Sequence, residues 1–103
     1  MAKFKTKMSA SQLDAFREVL ENILFKWQFD DEEKIFKAAL VETLTVVRRK
    51  LAVAEYRREY KLSFTEVQAQ GVYWMWQKMG KIPITDFTAK LHLIALDIHQ
   101  QYA

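Results

Sequence analysis

Few residues in this 103-residue chain have the chemistry of a catalyst. Cysteine is absent, which excludes disulfides, thiolate metal sites, iron–sulfur clusters and cysteine nucleophiles. The serines are Ser9, Ser11 and Ser63. Ser11 and Ser63 stand where helix caps belong, not beside a base. The glycines are Gly71 and Gly80, one inside a helical pattern and one just after it, so no Gly-rich loop is present to cradle a phosphate. His92 and His99 lie two helical turns apart, about 10 Å along the backbone, too far for both to grip one ion unaided. Zinc-binding helices use i, i+4 spacing, and Asp97 projects from a different side. The four adjacent acids Asp30, Asp31, Glu32 and Glu33 are better placed as a first helical turn, where carboxylates meet the positive end of the helix dipole. The sequence therefore predicts no enzyme, no metal and no cofactor.

Binding chemistry is better represented. The formal net charge is +3, and Lys3, Lys5 and Lys7 supply all of it, leaving the rest of the chain balanced. Arg48, Arg49 and Lys50, followed by Arg57 and Arg58, are the other candidates for phosphate contacts. On a helix, consecutive residues point about 100° apart, so adjacent cations do not form one patch. Interleaved acids such as Glu55 and Glu59 also suit a solvated, salt-bridged face. No helix-turn-helix signature is present. A nucleic-acid-associated role for these residues is the alternative reading, second to protein binding.

The elements that must position these residues read as helices. Two Gly and one Pro are too few turn signals for a sandwich or barrel. Leu13, Phe16, Leu20, Ile23, Leu24 and Trp27 form one stripe of a helix from about Gln12 to Phe29, capped by Ser11 with Asp14. From the acidic run to about Tyr60 nothing interrupts a second helix of about 30 residues, roughly 45 Å long. Ser63 to Glu66 spell a capping box for a third helix, which ends at Gly80. After a loop holding Pro83, a fourth helix begins near Thr85 or Asp86, with Phe87, Leu91, Ile94, Ile98 and Tyr102 as its stripe. The expected fold is all-α: a compact four-helix bundle with a long second helix and negligible strand. Residues 1–10 read as a basic N-terminal arm, extended at most over Lys3 to Met8, and 11–103 as a single helical domain.

Two of these helices carry more apolar surface than one neighbour needs. The second has a core seam (Phe36, Leu40, Leu44, Val47, Leu51, Ala54) and an outer line (Ala39, Val46, Val53, Tyr60) offset by about 130°. The third is apolar over most of its circumference, with Trp74 and Trp76 about 200° apart. Gly71, mid-helix, is disfavoured by about 1 kcal/mol against Ala and is explained by close approach of another backbone. The leading expectation is a non-catalytic protein–protein interaction module. It would be a homo-oligomer, or bind another protein, through Tyr73, Trp76, Val46, Val53 and Tyr60. No apolar run approaches the ~18 residues of a membrane span and no secretory signal is visible, so a cytoplasmic, membrane-free protein is expected.

Overall fold

A computed structural model describes residues 3–52, 59–80 and 83–102. Among them are two strands, β1 (Phe4–Met8) and β2 (Tyr60–Phe64), and four helices. These are α1 (Ala10–Lys26), α2 (Lys34–Ala52), α3 (Glu66–Met79) and α4 (Asp86–Tyr102), with a 3-10 turn at Asp31–Glu33 leading into α2.

The all-α expectation is corrected by the sheet. β1 pairs antiparallel with β2, in a register that sets Phe4 opposite Phe64, Thr6 opposite Leu62 and Met8 opposite Tyr60. The reason lies in the two-residue alternation of both segments. As a helix, Tyr60–Phe64 would point Leu62 and Phe64 about 200° apart. As a strand it sends both to one face, where they are 2% and 1% exposed beside Phe4 and Met8. Lys5, Lys7, Lys61 and Ser63 take the outer face and are exposed.

The second helix is also shorter than expected. It is described to Ala52, 19 residues or about 28 Å, and Tyr60 belongs to β2. Val53, Ala54, Arg57 and Arg58 lie outside the described residues. The third helix starts later than Ser63, because Ser63 is in the strand. Thr65 caps it instead: its hydroxyl accepts from the Gln68 N–H at 3.2 Å, and the Gln68 side chain accepts from the Thr65 N–H at 3.0 Å. Ser9 and Gln12 make the same reciprocal box at α1, displacing the expected Ser11. Asp14 instead takes Arg17 at 2.9 Å. Gly80 closes α3 with a φ of 65°, a conformation that penalises any side chain.

The core lies between the helices and the inner face of the sheet. Phe16 sits edge-on to Phe64 and against Phe87, which ties α1, β2 and α4 together. α2 and α3 approach most closely at Ala39 and Gly71. A β-carbon placed on Gly71 would lie 2.8 Å from the Ala39 Cβ, so Ala39, the first residue of the outer line on α2, has its neighbour within the chain. Trp74 stacks on Phe36 with ring centroids 4.9 Å apart and also meets Trp27 and Phe29.

Candidate functional site

The two strands and the second half of α2 border a groove of about 590 Å³, lined by Lys5, Thr6, Lys7, Val46, Lys50, Lys61, Leu62 and Ser63. Four of these eight described residues are lysines and none of the eight is acidic. β1 contributes Lys5 and Lys7 on alternate positions, because side chains two apart on a strand share a face. β2 brings Lys61 directly opposite Lys7 and Ser63 opposite Lys5. Like charges directly opposite on a sheet are destabilising, by roughly 0.2–1 kcal/mol. Lys50 projects from the last turns of α2 and closes the ring of cations. Among the described residues none of these four lysines makes an ion pair, whereas Arg17, Lys34, Arg48 and Lys78 each do.

The structure separates the residues singled out in the sequence. Lys5 and Lys7 line the groove. Lys3 is exposed just before β1, and its carbonyl accepts from the Gln101 side chain at 3.5 Å. Arg48 lies elsewhere, 3.1 Å from Glu21 across the α1–α2 contact. Glu21 also takes Arg17. The Arg48 hydrogen bond is the largest cause holding the Glu21 carboxyl below its ordinary range; partial loss of water opposes it and Arg17 adds to it. Arg17 in turn is held above its ordinary value by Asp14 first and Glu21 second. Arg49 is exposed. Lys50, singled out beside Arg48 and Arg49, does line the groove. Lys61 was missed as a site residue, although the alternation of Tyr60, Leu62 and Phe64 with Lys61 and Ser63 was a signal for a strand that would carry Lys61 outward.

The residues expected at a protein interface fall in different places. Val46 is half-buried and lines the lysine groove, while Tyr60 is half-buried in β2. Tyr73 and Trp76 are half-buried on the α4 side of α3, where Tyr73 stacks on His99 (5.5 Å, 16°) and Trp76 meets His92 at 5.4 Å. Trp76 also lines a second groove of about 590 Å³ with Gly80, Ile84, Thr88, Ala89, His92 and Leu93. Among the described residues no three of His, Asp and Glu gather as a metal site would require. No helix there is long and apolar enough to cross a membrane. In comparisons with known proteins, no family model, no curated protein and no solved structure matches this chain.

Proposed function

We propose that the protein is a non-catalytic nucleic-acid-binding protein of the cytoplasm that holds the phosphate backbone of a duplex in the lysine groove. The observation that carries this reading is the convergence of Lys5, Lys7, Lys50 and Lys61 from three elements on one groove, with no acid among the described residues of its lining. Lysines bind phosphate as point charges. The described residues of the groove include none of the Arg, Asn and Gln forks that read base edges, which supports binding independent of sequence. They include none of the aromatic platforms on which single-stranded bases stack either, which favours a duplex.

Four phosphate contacts release counterions, so the logarithm of affinity should fall with the logarithm of salt at a slope of about −3.6. The test is fluorescence anisotropy with a mixed-sequence duplex, a scrambled duplex and a single strand over a salt series. Lys5→Ser and Lys61→Ser should each flatten the slope by about one unit, with helical content unchanged by circular dichroism. Arg48→Ser should leave the slope alone, because Arg48 is committed to Glu21. Absence of duplex binding at low salt, or a slope indifferent to both lysine variants, would overturn the reading.

A second reading, binding of a protein, is supported by the exposed apolar side chains Ile84 and Leu93, which share a groove with half-buried Trp76, and by exposed Leu96 one turn beyond Leu93 on α4.

A further inference from the structure

We infer that a second copy of this chain packs antiparallel on the outer face of α4. This rests on the protein-binding reading and is independent of the lysine groove. α4 carries two apolar stripes. Phe87, Leu91, Ile94, Ala95 and Ile98 are buried against the rest of the molecule. On the opposite side Ala89, Leu93 and Leu96 are exposed, the two leucines at 57% and 44%. Their steps of four and three residues are those of a helix–helix seam, turned about 180° from the buried one.

The charges beside the outer seam select the occupant. Lys90 and Asp97 lie on one edge of it, and His92, against Trp76, and His99, stacked on Tyr73, lie on the other. Lys90 and Asp97 are two turns apart, about 10 Å, and do not pair with each other. When two copies of α4 run antiparallel with Leu93 of each facing Leu96 of the other, a two-fold axis sets like edges side by side. Lys90 of each copy then falls within about 3 Å, measured along the axis, of Asp97 of its partner, and two symmetric ion pairs close the seam. A parallel pairing would bring unlike edges together and form neither pair.

The experiment is molar mass in solution by sedimentation and light scattering from about 1 to 200 µM, at low salt. The wild-type chain should shift from 12.2 kDa to twice that mass with a micromolar midpoint. Leu93→Glu, at an exposed position, should remain folded and monomeric. Lys90→Asp should weaken association about tenfold by opposing two acids, and adding Asp97→Lys should restore it. Lys61→Ser, in the other groove, should leave the midpoint unchanged while altering nucleic-acid binding, which separates failure of one reading from failure of the other. A wild-type chain that stays at 12.2 kDa, so that the face serves a different occupant, overturns the inference. So does a dimer indifferent to Leu93→Glu, or a double charge swap that fails to restore what Lys90→Asp removes.

Discussion

Gly71 and Ala39 hold α3 and α2 at a separation that leaves no room for another carbon. A methyl group on Gly71 would meet the Ala39 Cβ at 2.8 Å, with the Ala39 and Leu40 backbone 3.8 Å away. Contacts under 3.0 Å force something to move. Here the opposing atom is a β-carbon fixed to a helix backbone, so the helices themselves must part.

Gly71→Ala should therefore destabilise the fold by about 1–3 kcal/mol, the range for overpacking, although alanine would favour an isolated helix by about 1 kcal/mol. Ala39→Gly should rescue it in the double variant. Urea titrations of the four corners of the cycle should give a coupling of about 1 kcal/mol or more. A Gly71→Ala variant as stable as wild type would contradict the close contact.

The N-terminal lysines and the apolar residues between them should respond in opposite ways. Phe4 is 2% exposed and Met8 1%, so Phe4→Ala should lose about 3 kcal/mol or more. Lys5→Ser, on the outer face, should change stability by less than about 0.5 kcal/mol. Thermal melts of the two variants distinguish a strand from a tail.

The start of α3 gives a sharper contrast. Thr65→Ala removes a hydroxyl that accepts from the Gln68 N–H at 3.2 Å and should cost about 1 kcal/mol. Ser63→Ala, on the exposed face of β2, should cost less than about 0.5 kcal/mol. Chemical denaturation of both variants decides which residue is the cap.

Glu21 predicts a pH dependence. Its carboxyl is held below the ordinary range chiefly by Arg48 and then by Arg17. A depressed folded-state value means that the stabilisation is complete above the unfolded value of about 4.3 and disappears as pH falls through the folded one. Glu21→Gln should melt below wild type at neutral pH, and the gap should close as pH falls from about 5 toward 3. A gap that stays constant across that range would show that the carboxylate's charge is not its source.

Much of this architecture is readable in the residues alone. The stripe of Leu13, Phe16, Leu20 and Ile23, the stop at Gly80 and the stripe from Phe87 to Ile98 all have helical spacing over enough residues to exclude a strand. The sheet was harder to read for two reasons. Tyr60–Phe64 alternates as a strand does, but over only five residues between two helical patterns, which makes the signal weak. Its partner lies far away along the chain, so the pairing leaves no local trace. The capping box shows the same ambiguity: Ser63 with Glu66 and Thr65 with Gln68 both fit the pattern, and only the strand's claim on Ser63 decides between them. Lys5 and Lys7 were visible as basic residues. The groove was not, because it exists only where two strands and α2 meet.

The pairing of Phe4 with Phe64, sixty positions apart, has a consequence for how the chain is made. At about 5–20 residues per second, β1 is synthesised roughly 3–11 s before β2 is complete. During that interval Phe4 and Met8 are exposed on an unpaired strand, the kind of segment other chains add to. Lys3, Lys5 and Lys7 are the charges in and beside that strand, and lysines are among the residues that blunt an exposed edge. Lys5 and Lys7, which line the groove of the finished molecule, are thus also placed to discourage such pairing while the chain is still being translated.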